Sequence, residues 1–359
     1  MSAMSATTQG QRRASALETS FKQNRGFYGA IVLFALLYIT YNFLHPRGFT
    51  TNVLIANANE SVALAFVAMA QAVPVLAGGL DLSVGAVMTL AACIASELVN
   101  GDPLRILLGC LATLGAATAF GFVNGLIVVY GRLQPIIVTL ATGAVAIGLA
   151  LLIRPKPGGD VDLDLNWAAT NSLRDLAETY HLFDDGDAAW LQPIGWVPVP
   201  LLILVVVALL VWVPFKRTVT GRTIYAIGSA EGAAYMSGLP INRAKLAAFT
   251  LAGFFAGCAG LYLAIQTGSG NADIPQAGAY TLNSIAAVVL GGVSLLGGIG
   301  TAIGALIGAL ILRAISFYFR ILSIDPLLQP LVEGVVLLAA VSLGAVRALR
   351  VKNRLELFR

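Results

Sequence analysis

Charged residues are scarce in this sequence of 359 residues. Asp, Glu, Lys and Arg together make up 11% of the chain, hydrophobic residues make up 58%, and the mean hydropathy is +0.83. A soluble globular chain carries about 25% charged residues. The composition therefore excludes an ordinary soluble domain and predicts that the lipid bilayer is the main solvent of the chain.

Residues that carry catalysis or bind metals are also few. No G-x-x-x-x-G-K-[ST] phosphate-binding loop occurs, and neither does a His-x-x-His or Cys-x-x-Cys pair. The two histidines, His45 and His181, lie far apart, and the three cysteines, Cys93, Cys110 and Cys258, fall inside apolar runs that suggest no disulfide or metal site. The chain is therefore predicted to be non-catalytic and to hold no metal or cofactor of its own. Without a phosphate-binding loop, it would have to rely on another protein for any energy from ATP hydrolysis.

Apolar runs long enough to cross a bilayer, which takes about 20 residues, recur along the chain. We place membrane spans at 28–45, 60–77, 84–99, 104–130, 136–153, 197–215, 244–266, 281–292, 299–320 and 328–346. The segment 47–61 could add a surface helix. The predicted fold class is all-α: a polytopic membrane protein of about ten transmembrane helices in two pseudo-repeated halves.

Basic residues are distributed unevenly about these spans. An even number of spans puts both termini on one side, and most of the 22 Lys and Arg residues then flank the membrane on that side. Because cytoplasmic segments carry the excess of Lys and Arg, we expect a cytoplasmic tail at 1–27, a transmembrane domain at 28–346 and a basic cytoplasmic tail at 347–359. The domain contains a cytoplasmic loop at 216–245 and an extracytoplasmic excursion at 154–196. Because the bases are dispersed among the spans, nucleic acid is not an expected partner.

Two stretches interrupt their apolar spans with the same pattern, G-G-x-x-L-x-x-G. They read GGLDLSVG at 78–85 and GGVSLLGG at 291–298. Glycine-interrupted segments in corresponding places of two halves indicate a translocation path, because unwound backbone persists in a membrane only where protein or a water-filled cavity satisfies it. The simpler alternative is that the glycines allow close helix packing. The first stretch favours the functional interpretation, because Asp81 costs about 3 kcal/mol at mid-membrane unless it is solvated or bonded.

We expect the Asp81 carboxylate to cap the start of the third span or to bond exposed backbone N–H groups there. The residues predicted to form the path or its gate are Gly78, Gly79, Asp81, Ser83, Gly85, Gly291, Gly292 and Ser294.

The polar stretch at 216–245, KRTVTGRTIYAIGSAEGAAYMSGLPINRAK, lies between strongly apolar segments. It predicts a short helix with Ser229 or its neighbour as N-cap and Glu231 in the first turn. Gly238 and Pro240 predict the helix end. The stretch is either a solvated loop that joins the two halves or a docking element that receives force from a soluble partner.

The segment 221–238, GRTIYAIGSAEGAAYMSG, resembles the coupling loop of ribose-type sugar ABC permeases, G-R-x-x-x-A-x-G-x-N-x-x-A-A-x-x-x-G-I. It departs from that pattern at Ala230, where Asn is usual, and at Leu239, where Ile is usual. The stretches GGLDLSVG at 78–85, AAVVLGGVSLLGG at 286–298 and LQPIIVTLATGAVAIGLALLIRPKPGG at 133–159 extend the resemblance over residues 49–345. The chain thus resembles the branched-chain amino acid/ribose-like family of inner-membrane permeases.

The resemblance implies a multi-pass permease subunit in a bacterial inner membrane that imports a monosaccharide, either a pentose or a hexose. Its implied partners are a second permease chain in a homodimer, membrane lipid, a periplasmic sugar-binding protein, and an ABC ATPase that would hold the ATP and Mg. The residues implied to face the ATPase are Arg222, Gly228, Glu231, Ala234 and Gly238. Asn283 stands where the family often has an acid, and it joins the candidate path residues.

The excursion at 154–196 is rich in acids between 160 and 187, with Arg174 as the one base there. A run of charge is usually a solvated face. The alternative is a rim that docks the periplasmic binding protein by complementary charge, through Asp184, Asp185 and Asp187.

Arg313 and Glu333 lie at similar depth on either side of the turn that joins the last two spans. A structural ion pair between them is the simple prediction. The competing functional class is a proton- or ion-coupled secondary transporter, which would need Asp81 or Glu333 as a buried proton carrier.

Overall fold

The computed structural model describes residues 25–179, 193–336, 338, 339 and 342, and within that range the chain is all-α without a β-strand. The tails at 1–24 and 343–359 lie outside the described residues, as do Asp184, Asp185 and Asp187. The helices, in chain order, are α1 Arg25–Leu44, α2 Thr51–Leu76, α3 Val84–Leu98, α4 Pro103–Tyr130, α5 Pro135–Ile153, α6 Leu163–Thr170, α7 Leu173–Thr179, α8 Val199–Arg217, α9 Val219–Met236, α10 Ile241–Thr267, α11 Ile274–Leu290 and α12 Ala302–Ile321. A 3₁₀ turn, Pro326–Leu328, then leads into helical residues 329–336.

Seven of these helices are long and apolar enough to cross a membrane, namely α1, α2, α4, α5, α8, α10 and α12. The shorter apolar helices α3 and α11 complete the predicted set up to the ninth span. The all-α, polytopic fold class is therefore confirmed.

Two helices begin about two turns or more earlier than the sequence suggested. The second span starts at Thr51, because Thr50 caps it by accepting the Val53 N–H at 3.4 Å. The eighth starts at Ile274, where Pro275 occupies the first turn. Proline is favoured there because its missing N–H has no helical partner in any case. The segment expected to form a separate surface helix is thus largely the first turns of α2.

The core of the molecule surrounds α2 and α10, whose apolar windows are mostly buried. Helices α4 and α10 cross with their backbones in contact: a Cβ on Gly253 would lie 2.9 Å from the Gly121 Cα. In a membrane, where lipid is as apolar as leucine, such close packing of small residues holds helices together. Helices α1, α4, α5 and α8 form the periphery and expose many large aliphatic side chains, as lipid-facing helices do.

Helix α8 changes winding near its end, where residues Ala208–Trp212 form a π-helical turn. Lys216 and Arg217 follow in its last turn. The Trp212 side chain is buried, and its Nε1–H donates to Thr301 Oγ1 at 3.0 Å. The last turn of α8 is therefore anchored to the start of α12.

The described part of the excursion packs against the helix ends beneath it. Arg154 lies 2.7 Å from Glu97 and donates from Nε to Ser96 Oγ at 3.1 Å. Two acids of the excursion serve local structure. Asp162 caps α6 by accepting the Leu165 N–H at 2.8 Å, and Asp175 accepts from Ser172.

Candidate functional site

The first glycine break, residues 78–85, ends α2 with a left-handed residue. Gly78 has φ +79°, and its N–H donates to Val75 O at 2.9 Å, while the Gly79 N–H donates to Pro74 O at 2.9 Å. This pattern satisfies the last carbonyl groups of a helix, and glycine adopts it without steric cost. The Gly-Gly pair thus stops α2 and turns the chain toward α3.

The second glycine break, residues 291–300, ends α11 in the same way. Gly292 has φ +79°, and its N–H donates to Val289 O at 3.0 Å; the Val293 N–H donates to Val288 O at 3.0 Å. The structural counterpart of Gly78 is therefore Gly292. The repeated letters would align Gly78 with Gly291, but Gly291 occupies the cap position that Ala77 fills in the first break. An alignment of the two breaks by their sequence pattern therefore differs by one residue from their structural alignment.

Asp81 is 2% exposed, and its bonds stay within the first break. Its Oδ1 accepts the Ser83 backbone N–H at 2.9 Å and the Ser83 hydroxyl at 2.6 Å. Asn124 Nδ2 on α4 donates in turn to Ser83 Oγ at 2.9 Å. The expectation that Asp81 bonds exposed backbone N–H at the start of the third span is confirmed.

The first break is also bonded to two other helices. Thr139 Oγ1 on α5 accepts the Leu82 N–H at 2.9 Å, and Thr281 Oγ1 on α11 accepts the Gly85 N–H at 3.2 Å. A side chain on Gly85 would overlap the Ala277 carbonyl oxygen. Together with the bond from Asn124, these contacts hold the break in a fixed shape among α4, α5 and α11.

The second break is longer and has further left-handed residues at Gly297, Gly298 and Gly300, before α12 begins. Ser294 lies in this loop, where its N–H donates to Ile299 O at 3.0 Å and its Oγ accepts the Leu296 N–H at 3.2 Å.

Four glycines bring the two breaks and α9 into direct contact, and we call Gly78, Gly228, Gly297 and Gly298 the glycine junction. The Gly298 N–H donates to Leu76 O at 3.0 Å. A Cβ on Gly297 would lie 2.7 Å from the Gly228 Cα and 2.9 Å from the Gly78 N. One on Gly228 would overlap Leu76 O and Gly298 N. The three segments therefore meet backbone to backbone.

Helix α9 consists of two parts joined at Ala230, whose φ of −164° and ψ of 93° are not helical. An N-cap residue has an extended backbone conformation just before the first helical residue. Ala230, the neighbour of Ser229, is thus the cap of the predicted short helix. Gly238 has φ +71° just beyond the end of α9, as the predicted stop required.

The first part of α9 faces the junction, and the second part is exposed. Tyr225 donates from its hydroxyl to Gly300 O at 3.0 Å, and burial raises the pKa of Tyr225 to about 12, so this donor keeps its proton. Tyr235 and Met236 are 76% and 84% exposed. Glu231 accepts from Lys245 Nζ at 2.6 Å, which ties the exposed part to the start of α10.

The residues implied to face an ATPase divide into two groups. Arg222, Glu231 and Gly238 are exposed. Gly228 instead contacts the two breaks, and Ala234 is buried in this chain's own core. These two residues pack against this chain itself, because a residue without a side chain is needed where backbones touch and a small one where α9 packs inward. Contact of any of the five residues with an ATPase stays a prediction.

A groove with three cations lies beside the junction. It has a volume of about 710 Å³ and is lined by Trp212, Lys216, Arg217, Arg222 and Thr301, among others. The sequence shows the three basic residues, but it does not show that the end of α8, the start of α9 and the start of α12 come together around them.

Arg313 and Glu333 have separate partners and form no ion pair, which corrects the sequence prediction. Arg313 donates to the Tyr280 hydroxyl at 3.2 Å and lies 5.6 Å over the Tyr280 ring. Glu333 accepts from Asn283 Nδ2 at 2.8 Å and from Gln329 Nε2 at 2.7 Å.

The reason is the position along the helix axis, because residues three apart lie on roughly the same face of a helix. Glu333 lies beside Ser316, at 3.4 Å, and Ser316 is one turn further along α12 than Arg313.

Among the described residues, no group of three or more His, Cys, Asp or Glu side chains is placed to hold a metal ion.

Comparisons with known proteins agree in pointing to one class. The family described as branched-chain amino acid transport system / permease component matches residues 53–341. The ribose import permease protein RbsC of Escherichia coli (strain K12) is 34% identical over 321 residues, which cover 89% of this chain and 92% of that protein. That of Bacillus subtilis (strain 168) is 36% identical over 313 residues, or 86% and 89%. The D-allose transport system permease protein AlsC of Escherichia coli (strain K12) is 29% identical over 318 residues, or 88% and 90%. No solved structure matches the chain.

Proposed function

Because the chain belongs to the family of branched-chain amino acid transport system permease components, we propose that it is the membrane-spanning, non-catalytic permease subunit of an ATP-driven monosaccharide importer. It is a multi-pass protein of the bacterial inner membrane. Relatives named for ribose and for D-allose support a pentose or hexose as the cargo.

The glycine junction is the observation that carries the proposal. Gly228 of α9 is in backbone contact with the first break through Leu76 and Gly78, and with the second through Gly297 and Gly298. No flexible side chain lies between them to absorb a displacement. A partner ATPase that moves the exposed part of α9 would therefore move both breaks together.

In this mechanism, ATP and Mg bind to the ATPase subunit, and closure of that subunit displaces residues 231–238. Tyr225 and Gly228 transmit the displacement to the breaks, and the helices that follow, α3 and α12, change which side of the permease is open. The ATPase shifts the equilibrium between the two conformations of the permease, in the same way as a ligand that binds one conformation better than the other. The residues that act here as parts of the moving breaks are Gly78, Gly79, Asp81, Ser83, Gly85, Gly291, Gly292 and Ser294. Asn283 remains a candidate for the path.

The placement of the junction also supports the proposed topology. The loops after the second, sixth and eighth spans must all lie on one side of the membrane if the spans alternate, and these are the three segments that meet at the junction. We propose that this side is cytoplasmic, that residues 28–346 form the permease domain, and that the tails lie in the cytoplasm.

We further propose a second copy of this chain as partner, and a periplasmic sugar-binding protein that docks on the 154–196 excursion. Asp162 and Asp175 are used as local caps, so docking falls to the remaining acids, Asp184, Asp185 and Asp187 among them. Reversal of these three to Lys should weaken binding-protein association and its salt dependence; unchanged association at low salt would identify a solvated loop.

A secondary transporter would need Asp81 or Glu333 to carry a proton. Both carboxylates accept hydrogen bonds within the chain, Asp81 from Ser83 and Glu333 from Asn283 and Gln329. These bonds favour structural roles and an external energy source.

The test is uptake of labelled D-ribose and D-allose by proteoliposomes. Uptake should require the cognate ATPase, the binding protein and ATP. Rapid uptake by the chain alone under a proton gradient would contradict the proposal.

A further inference from the structure

The groove beside the glycine junction carries positive charge that nothing in the described chain neutralises. Lys216, Arg217 and Arg222 line it, and no acidic side chain does. Arg222 donates to the Arg217 carbonyl oxygen at 3.2 Å, and Lys216 Nζ lies 5.5 Å over the Tyr225 ring. Within the described residues none of the three cations forms an ion pair. Three cations that line one groove favour an anion within it.

The position of the groove indicates where that anion comes from. The groove begins where the membrane-spanning helix α8 ends, and Leu209 and Leu210 just before it are 53% and 71% exposed on the lipid-facing side of the bundle. An anion with acyl chains would cover these leucines as well as the charges, whereas a soluble anion would leave them bare. Basic pockets between transmembrane helices at the membrane surface are known to suit anionic lipid headgroups.

The base of the groove is formed by a buried and hydrogen-bonded part of the fold. The π-helical turn Ala208–Trp212 precedes the cations, and the buried Trp212 bonds Thr301 at the start of α12. Arginine offers paired N–H donors to phosphate oxygens, and lysine adds a point charge.

We propose that this groove binds the phosphate headgroup of an anionic phospholipid, with the acyl chains along the exposed face of α8. The lipid phosphate joins the end of α8, through Lys216 and Arg217, to the first part of α9, through Arg222. Thr301 lies beside it, immediately after the second break. A bound lipid therefore holds α9 against the junction, and it makes coupling dependent on the anionic lipid content of the membrane. This effect on coupling rests on the proposed function, but the binding itself does not.

The experiment uses the purified full chain in phosphatidylcholine, with and without phosphatidylglycerol, and measures retained lipid by native mass spectrometry. The groove variant carries Lys216→Gln, Arg217→Gln and Arg222→Gln. A matched control, Arg47→Gln, Arg105→Gln and Arg243→Gln, removes the same charge from exposed positions outside the groove.

The natural chain and the control should retain phosphatidylglycerol, and the groove variant should bind it about 100-fold more weakly, since each cation near a membrane surface contributes about fivefold. If the triple variant does not fold, Lys216→Gln and Arg217→Gln alone should each lose about fivefold. Equal retention by the groove variant and the control would overturn the proposal.

Two further measurements separate other sources of the anion. Stabilisation of the lipid-free chain by inorganic phosphate, equal to that by phosphatidylglycerol, would show a soluble-anion site instead. Loss of ATPase capture by the groove variant, with phosphatidylglycerol retention unchanged, would show that the groove belongs to the ATPase interface. Failure of the chain to import any monosaccharide would contradict the proposed function and leave the lipid-binding result standing.

Discussion

Gly298 donates its backbone N–H to the carbonyl oxygen of Leu76 at 3.0 Å, across more than half the length of the chain. Leu76 is the last residue of α2, and Gly298 lies in the loop before α12. The bond uses a carbonyl group that a helix end would otherwise leave without a partner. It therefore links the two breaks to each other directly, and Gly228 packs against both sides of this link.

Gly228→Ala should damage coupling, because its new Cβ would overlap Leu76 O and Gly298 N. Overpacking of this kind costs about 1–3 kcal/mol in stability. We expect a lower unfolding temperature and less uptake per ATP hydrolysed. Gly232→Ala is the control, because a Cβ there meets nothing within 4 Å. Equal uptake by the two variants would show that the junction is not part of the coupling path.

Asp81→Ala should destabilise the first break, because it leaves the buried Ser83 N–H without its acceptor. An unsatisfied buried donor costs about 1–3 kcal/mol. Asp81→Asn keeps an acceptor oxygen and should retain assembly with the ATPase while uptake falls. Complex yield by pull-down and uptake are measured in the same cells. Normal uptake by Asp81→Asn would remove the gate role, and loss of pull-down would move the residue into the docking interface.

Arg313 and Glu333 should behave independently in a double-mutant cycle. Arg313→Met and Glu333→Gln remove groups that have different partners, so their effects on unfolding free energy should add. Glu333→Ala and Asn283→Ala each remove one partner of the same hydrogen bond, so this second pair should show a coupling energy of about 0.5–3 kcal/mol. Thermal unfolding of the purified single and double variants gives both values. Coupling in the first pair and none in the second would restore the ion-pair interpretation.

Tyr235→Ala should weaken capture of the ATPase without changing the unfolding temperature. Tyr235 is largely exposed on the second part of α9, and tyrosine is enriched among the few interface residues whose truncation weakens binding by about 2 kcal/mol or more. Val219→Ala, at the opposite end of the same helix and also exposed, is the matched control. If the two variants bind the ATPase equally, the exposed part of α9 is not the docking element.

The sequence predicted the spans and the breaks well, because apolar length and Gly-Gly pairs are local signals. Ala230 and Gly238 likewise follow from local capping chemistry. The meeting of Gly78, Gly228 and Gly297 could not be predicted in this way, because a contact between backbones leaves no side-chain pattern to read.

The sequence determines the depth of a side chain in the bundle only to within about one helical turn. Counting residues placed Arg313 and Glu333 at similar depth, but an error of three residues in that count is enough to separate the two side chains. One turn of α12 brings Ser316, rather than Arg313, beside Glu333. The basic groove was missed for a related reason, since three helix ends have to meet before it exists.

The four residues of the glycine junction have no side chains, so under the proposed function the junction links the breaks without taking part in recognition of the cargo by side chains. Under the proposed function, recognition of the cargo by side chains then belongs to the surrounding helices, at positions free to change without disturbing the linkage. A duplicated gene could therefore acquire a new cargo by altering those helices alone, while the transmission from the energy source stayed the same. Under the proposed function, the same separation would make this chain a suitable scaffold for engineered uptake, provided that Gly228 and the two breaks are left unchanged.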